Sequence, residues 1–243
     1  MTFLHSIAIS NNVQFDLGPT IACHIESLKR FHPEYKHILW TEEKIQSFLE
    51  KYYDKAILMA YEKIIPAAFK ADLARLCILF QLGGIYADLS LFFMGSLPLN
   101  ELSGKENIIF RLNWNPGSVH NALIFSQPKS YLMSLCINQA VHNINYSFYG
   151  KTELDPTGPE LISNIIKGLK KKNISILYGD TKCVLNNNPL QLFYTLGNNG
   201  RENPIAIRNK PILDCQGISI LGAKGFDNQC YSNAWIQRKI YKN

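Results

Sequence analysis

Residues 69–90 constrain the fold more than any other part of this 243-residue chain. Apolar residues recur at the helical interval from Phe69 to Phe80, which predicts a helix with one buried face. Gly83 and Gly84 end that helix, because glycine adopts the left-handed conformation at a helix end without a steric cost. Beyond the glycines the apolar period changes to two, which predicts a strand. The chain is therefore expected to pass from helix to strand at the two glycines.

The polar side chains of this block fall on two faces. Asp72 and Arg75 lie one helical turn apart and share a helix face. In the strand, Tyr86, Asp88 and Ser90 point away from the apolar residues between them. If the helix packs antiparallel beside the strand, both sets border one cleft. The sequence therefore predicts one face that collects the functional side chains.

The rest of the chain alternates predicted strands with predicted helices, which is typical of an α/β sheet with crossover connections. No internal repeat or low-complexity tract interrupts it, so we expect one domain. Strands are expected at about 3–9, 35–40, 85–90, 107–111, 121–125, 174–178 and 205–207, helices at about 18–30, 41–53, 66–82, 128–143 and 160–169, and turns at 186–189 and 197–200.

Composition excludes several functional classes. The net charge of +6 suits an anionic substrate or lipid surface, but no stripe of basic and aromatic residues indicates nucleic-acid binding. The six cysteines form no C-x-x-C pair, and no His/Cys cluster has the spacing of zinc ligands. No signal-peptide pattern and no long apolar run is visible. We therefore expect a cytoplasmic protein, with peripheral association at the inner face of the membrane as an open alternative.

Asp88 and Ser90 can supply oxygen ligands to a hard divalent cation, which would bridge the phosphates of a nucleotide. Each part of the block also has an ordinary explanation. Asp88 can simply end a strand, and Asp72 with Arg75 can be a surface ion pair that contributes little to stability. Packing and solubility do not require all of these features in this order. The combination therefore indicates a site for a phosphorylated, hydroxyl-rich ligand.

The block resembles the sugar-binding region of glycosyltransferase family 32, whose members carry a DXD motif. The family includes capsular and lipopolysaccharide sugar transferases and initiating mannosyltransferases. Weaker similarity extends through 33–40, 121–124, 157–159 and 235–241. The matching residues are Ala71, Asp72, Arg75, Gly83, Gly84, Ile85, Tyr86 and Asp88.

The resemblance implies a GT-A fold in a single domain, with a Rossmann-like donor-binding half at about 1–100 and an acceptor-binding half at about 101–243. It implies that Asp72 and Arg75 contact the hydroxyl groups of the donor sugar and that Tyr86 lies near the nucleoside. Asp88 would hold the ribose or the metal shell, and Asn121 would border the donor sugar. Asp88, Asp72 and Arg75 would form the catalytic set.

The implied reaction is sugar transfer from a UDP- or GDP-sugar to a glycan or glycolipid acceptor, with retention at the anomeric carbon. The implied cofactor is a divalent metal such as Mn²⁺, held by Asp88, Ser90 and Asn233. Two of these positions depart from the family pattern. Ser90 replaces the second acid of the motif, and Asn233 or its neighbour Ser232 stands where the family completes the metal and phosphate site.

Three functions follow. The leading one is a transferase that builds a surface polysaccharide or glycolipid. The second is a non-catalytic or weakened relative that binds sugar nucleotides or glycans, which the neutral Ser90 hydroxyl would favour. The third is a toxin-like effector that glycosylates a host protein by the same chemistry. The sequence leaves the donor sugar, the acceptor and the oligomeric state open.

Overall fold

The computed structural model describes residues 3–9, 17–93, 95–96, 107–111, 118–170, 181–185, 188–194, 205–207, 210–215 and 231–242. The strands are β1 Phe3–Ile7, β2 Lys36–Trp40, β3 Gly84–Ala87, β4 Leu91–Phe93, β5 Asn107–Arg111, β6 Val119–Ser126, β7 Thr181–Leu185, β8 Asn188–Tyr194, β9 Ile205–Ile207 and β10 Lys210–Cys215. The helices are α1 Gly18–Phe31, α2 Glu42–Tyr52, α3 Lys55–Lys63, α4 Ala67–Leu82, α5 Tyr131–Asn145, α6 Pro159–Lys170 and α7 Tyr231–Ile236.

The fold is mixed α/β, built on a seven-stranded sheet of order β2-β1-β3-β6-β5-β8-β7. Strand β1 pairs in parallel with β2 and β3, as crossover connections through helices predict. Strand β6 is antiparallel to both β3 and β5, so the sheet changes direction beside β3. A smaller sheet has the order β4-β10-β9. Strands from both sides of residue 100 therefore belong to one sheet.

The two glycines are required by the backbone at the α4–β3 junction. Gly83 ends α4 with a φ of 64°, and Gly84 has a φ of 100°. A Cβ at position 84 would lie 2.4 Å from the carbonyl oxygen of Phe3 in the neighbouring strand. A Cβ at position 83 would lie 2.5 Å from Pro128. The glycines thus allow β3 to start directly against β1.

Helix α4 is buried on nearly every side, which corrects the expectation of a single buried face. Residues from Asp72 to Leu79 are all buried, including the charged Asp72 and Arg75. The cause is its position between the sheet and the other helices, for it contacts β3 and β6 as well as α2, α3 and α5. Within the part of the chain that the structure describes, no helix is long and apolar enough to cross a membrane.

Most predicted elements are present, with several differences, among them the unpredicted strands β7 and β10 and the unpredicted helix α7. Helix α3 was not predicted, although the Asp54 side chain caps it by accepting a hydrogen bond from the Ile57 N–H. Strand β3 ends at Ala87 rather than at residue 90, and β4 follows at Leu91. The segment predicted as a turn at 186–189 includes the first residues of β8. The strand expected at 174–178 and the turn at 197–200 lie outside the described residues.

A buried histidine joins β1 to its neighbours. Trp40 Nε1–H donates to His5 Nδ1 at 3.1 Å, so the ring proton of neutral His5 lies on Nε2 and is donated to the Gly83 carbonyl at 2.9 Å. Burial lowers the pKa of His5 to about 4, mainly because the charged ring would be desolvated. His37 behaves alike, since burial lowers its pKa to about 4 and Lys29 adds to the effect.

We expect Gly84→Ala to destabilise the fold by roughly 1–3 kcal/mol, because alanine at this φ is strained and its Cβ meets the Phe3 carbonyl. The matched control is Gly168→Ala in α6, where a Cβ has nothing within 4 Å. That helical change should stabilise by roughly 0.5–1 kcal/mol. Urea unfolding of both variants measures the difference. Equal stability of the two would contradict the assigned backbone geometry.

We expect the free energy of unfolding to decrease as the pH is lowered from about 6.5, the pKa of histidine in the unfolded chain, to about 4, the pKa of His5 in the folded chain. In this window the unfolded chain binds more protons than the folded one, so stability rises with pH and is lost on acidification. The contribution of His5 is about 2 kcal/mol between pH 6.5 and 4.5. His5→Gln can keep both hydrogen bonds without titrating.

Chemical unfolding across this pH range should therefore show a shallower loss for His5→Gln than for the natural chain. The part due to His37 should remain in both. An identical pH dependence in the two proteins would show that folding does not lower the pKa of His5.

Candidate active site

The candidate site lies where β3 ends beside the antiparallel strand β6. Asp88 directly follows β3, and its N–H donates to the Ala122 carbonyl of β6 at 2.8 Å. Ligands of open α/β sheets bind outside the carboxyl ends of the parallel strands, where the strand order reverses. The last residues of β3 occupy such a position.

Asp72 is the buried anchor of the site. Its side chain is 1% exposed, and its carboxylate contacts Arg75 Nη2 at 3.1 Å within α4. Asn121 Nδ2 of β6 donates to Asp72 Oδ1 at 2.9 Å, and Thr157 Oγ1 donates to Oδ2 at 3.0 Å. A buried carboxylate is stable only with such partners. Asp72 and Arg75 thus form a buried ion pair whose hydrogen bonds join three segments of the chain, and not a surface salt bridge.

Arg75 extends this network toward the sheet edge. Its side chain is 5% exposed, and Nη1 donates to the Asn121 carbonyl at 2.7 Å. Nη1 also lies 3.6 Å from Asp88 Oδ1, so the same guanidinium bridges the two aspartates. Helix α4 and the end of β3 therefore share one charged cluster, as the two-face pattern predicts.

Tyr86 lies beneath that cluster. The Arg75 guanidinium carbon is 4.6 Å from the centroid of the Tyr86 ring, and Tyr86 Oη–H donates to Asp88 Oδ1 at 2.5 Å. Burial raises the pKa of Tyr86 well above its ordinary value, and the neighbouring Asp88 carboxylate adds to the rise. Tyr86 is therefore a neutral donor that orients Asp88. Because it is 1% exposed, its predicted contact with a nucleoside stays a prediction.

Asp88 and Ser90 do not lie on one strand face, which corrects the predicted alternation. After Ala87 the chain turns, since the Leu91 N–H donates to the Asp88 carbonyl at 3.1 Å. The buried His24 of α1 holds this turn through a 3.1 Å hydrogen bond between Nδ1 and the Leu89 carbonyl. Asp88 remains 26% exposed, far more than Asp72 or Arg75. It is thus the charged group of the cluster that a ligand reaches first.

Two residues of the site escaped sequence reasoning. Thr157 lies in the weakly similar segment 157–159 but was given no role; in the structure this segment packs closely on Asp72, since a Cβ at the neighbouring Gly158 would lie 3.3 Å from Asp72 Oδ2. His120 was given no role from the sequence and lies in β6. Burial lowers its pKa, while Asp88 raises it and Arg75 lowers it, so neutral His120 belongs to the electrostatic surroundings of the cluster.

Of the three predicted metal ligands Asp88, Ser90 and Asn233, only Asp88 supplies a carboxylate. Among the described residues, the printed contacts of Asp88 with Tyr86 and Arg75 both use Oδ1, so Oδ2 could accept a cation. Ser90, two residues further along, is partly buried. Mg²⁺-like ions are commonly held by one or two carboxylates together with substrate phosphates. Among the described residues no group of three or more His, Cys, Asp or Glu side chains is arranged to hold a metal.

Asn233 stands apart from these ligands in the structure. It lies on the exposed side of α7, and its carbonyl accepts from the Gln237 N–H at 3.0 Å. Its neighbour Ser232 donates to Glu153 Oε1 at 2.8 Å. No hydrogen bond or ion pair among the described residues joins Asn233 to Asp88, so its role as a ligand stays a prediction.

Curated proteins resemble the chain over slightly more than half of its length. Inositol phosphoceramide mannosyltransferase 3 of Schizosaccharomyces pombe is 29% identical over 141 residues, which cover 58% of this chain and 38% of that protein. Mannosyl phosphorylinositol ceramide synthase SUR1 of Saccharomyces cerevisiae is 30% identical over 145 residues, covering 59% of this chain and 36% of that protein. The chain thus spans about two fifths of the length of these relatives.

A solved structure shows the fold. The PaToxG glycosyltransferase superposes with a TM-score of 0.50 at 20% identity, over 71% of each chain, and the expected GT-A type of α/β fold is thereby confirmed. The sequence model described as "Glycosyltransferase sugar-binding region containing DXD motif" matches residues 18–109, which contain Asp72, Arg75, Tyr86 and Asp88. Residues 18–109 of this chain are therefore similar to the sugar-binding region of DXD-motif glycosyltransferases, as the block at 69–90 predicts.

Proposed function

We propose that the chain is a retaining glycosyltransferase that moves a hexose from a nucleotide-sugar donor to a glycolipid or glycan acceptor. The observation that carries the proposal is the buried Asp72–Arg75 pair that meets Asp88 at the carboxyl end of β3, inside a DXD-family region. Departure of a nucleoside diphosphate builds negative charge, and a charged group that is already oriented stabilises it without reorganisation. Arg75 meets that requirement because Asp72, Asp88 and the carbonyl groups of Ala71 and Asn121 hold it.

The residues divide the work by exposure. Asp88 reaches the donor, either at its ribose or through a divalent metal held with Ser90, and such a metal would neutralise charge on the diphosphate. Arg75 Nη1 lies 3.6 Å from Asp88 Oδ1, and the guanidinium adds a fixed positive charge to the site. Asp72 positions Arg75 and Asn121, and its predicted contact with sugar hydroxyls belongs to the same proposal. Because the proposed metal ligands include only one carboxylate, we propose that the metal binds weakly when no nucleotide sugar is present.

The relatives suggest where to look for substrates. Their names describe mannosyl transfer to inositol phosphoceramide, so we propose a mannose-type donor and a phosphorylated glycolipid as the first pair to test, with surface glycans next. The net charge of +6 suits an anionic lipid acceptor. We also propose that transfer takes place in the cytoplasm, at the inner face of the membrane. The described cysteines Cys23, Cys77 and Cys136 are free, which agrees with a reducing compartment.

The proposed division into a donor half and an acceptor half at about residue 100 needs one addition. Asn121 and Thr157 come from the second half, yet both bond to Asp72 of the first. We therefore propose that the second half contributes to the donor site as well as to acceptor binding.

A binding protein without turnover is the competing function, and Ser90 is its basis. The test is incubation of the full chain with GDP-mannose, UDP-glucose and UDP-galactose, with and without Mn²⁺, and with a phosphoinositol lipid as acceptor. Transfer, or slow donor hydrolysis, supports the transferase, and the anomeric signal of the product decides retention. Binding of a nucleoside diphosphate without turnover supports the competing function. No binding and no turnover with any donor would overturn both.

We expect Asp88→Asn to lower turnover by about 10²-fold or more while the fold is kept, because the amide still accepts from Tyr86 but carries no charge. Ser90→Asp restores a second acid and should lower the Mn²⁺ concentration needed for half-maximal turnover. Steady-state rates over a Mn²⁺ series measure both variants. Full activity of Asp88→Asn would show that the site has been assigned wrongly.

We expect Asp72→Asn to destabilise the chain by about 3 kcal/mol, because it removes the partner of a buried arginine. The matched control is Glu26→Gln in α1, which breaks another i,i+3 pair, with Lys29, whose side chains are 68% and 46% exposed. The control should change stability by about 0.5 kcal/mol or less. Urea unfolding compares the two variants. Similar small effects would contradict the burial of the Asp72–Arg75 pair.

A further inference from the structure

We propose that a cavity between α5 and α6 is a second carbohydrate site, which binds a neutral hexose ring of a glycan apart from the donor. The cavity has a volume of about 450 Å³, within the range of small-molecule sites. None of its lining residues belongs to the Asp72–Arg75–Asp88 cluster. The lining residues are Gln139, His142, Asn143, Tyr146, Phe148, Asp155, Leu161, Asn164 and Ile165.

The charge of the lining selects against phosphorylated ligands. Among the described residues that line the cavity there is one carboxylate, Asp155, and neither lysine nor arginine. A phosphate or diphosphate would have to be desolvated beside that carboxylate without a cation in the wall. The cavity therefore suits a neutral ligand, in contrast to the donor site with its Arg75 guanidinium.

Two exposed aromatic rings form the rim. Tyr146 is 76% exposed and Phe148 is 45% exposed, which is unusual for side chains of this size. The His142 and Tyr146 rings lie 4.6 Å apart between centroids, so the imidazole supports the phenol ring. An aromatic face covers the apolar C–H face of a ring, and the tyrosine hydroxyl remains in water. The rim thus offers flat apolar surfaces beside polar groups.

Amide and carboxylate groups supply the hydrogen-bonding part. Gln139 Nε2 donates to Asn143 Oδ1 at 2.8 Å, and Asn143 Nδ2 donates to the Pro156 carbonyl at 2.9 Å. Asn164 Nδ2 lies 3.4 Å from Asp155 Oδ1. Each bond uses one N–H of its amide, and the amide oxygens of Gln139 and Asn164 can accept hydroxyl protons. Alternating apolar faces and hydroxyl acceptors are the chemistry that a hexose requires.

The segment that carries Phe148 and Asp155 is held in place before any ligand binds. Asp155 Oδ2 accepts from the N–H groups of Lys151 and Thr152 at 2.9 and 2.7 Å. Gly150 has a φ of 65°, and a Cβ there would lie 2.2 Å from Asp155 Cβ. A rim ordered in this way loses little entropy on binding.

The same segment separates the two sites. Asp155 lines the cavity, whereas Thr157, two residues further along, donates a hydrogen bond to Asp72 of the donor site. A glycan in the cavity would therefore be separated from the donor site by this segment. The cavity could bind a part of an acceptor that does not take part in the reaction. The proposal concerns binding alone and does not rest on the proposed transfer.

The test is saturation-transfer NMR of the full chain with the methyl α-glycosides of mannose, glucose and galactose. We expect binding of at least one with a dissociation constant of about 1–10 mM. Tyr146→Ala and Phe148→Ala should each weaken it by about fivefold. The matched control is Tyr131→Ala, which removes a 45% exposed tyrosine from the start of α5, outside the cavity. Thermal unfolding checks that all variants fold.

Three results would overturn the proposal. The first is absence of saturation transfer with every glycoside. The second is equal binding by Tyr146→Ala and Tyr131→Ala. The third is loss of binding in Asp88→Asn with no loss in Tyr146→Ala, which would place the hexose in the donor site. Failure of the proposed transferase would appear instead as absent turnover with cavity binding intact.

Discussion

The structure depends on one buried ion pair. Asp72 and Arg75 are almost fully removed from water, and isolated charges would not remain ionised there. Their desolvation is offset because Asn121 comes from β6 and Thr157 from the segment before α6, which complete the hydrogen bonds of the carboxylate. The pair is therefore stable only when distant parts of the chain have assembled around α4. The same contacts therefore belong to the core and to the candidate site.

The backbone at the α4–β3 junction places the third charge. Gly83 and Gly84 let β3 start directly after the helix and pack against the Phe3 carbonyl of β1. Four residues later Asp88 leaves the strand within 3.6 Å of the Arg75 guanidinium. Tyr86 hydrogen bonds to that carboxylate from the core, and His24 holds the turn that follows. The position of Asp88 is thus set by the backbone geometry of the α4–β3 junction.

Sequence reasoning succeeded where the signal is local. The period of α4, the glycines and the parallel pairing around β1 follow from spacing and steric rules. It failed where a feature depends on contacts between segments that are distant in sequence. The Asp72–Arg75 spacing is the same on a surface helix and in a core, and only the partners around α4 distinguish them. Ser90 was placed on a strand face because an alternating pattern does not reveal that a turn begins at Asp88.

The sequence by itself determined the order of α4, the glycine junction and β3, and with it the similarity of residues 18–109 to a DXD sugar-binding region, because these features depend on neighbours a few positions apart. Only the tertiary structure decided which side chains meet. Thr157 lies 85 residues from Asp72 in sequence, and no local period can express that contact. It also decided that Asp88 is the charged group of the cluster most open to a ligand, since exposure depends on what packs above a residue.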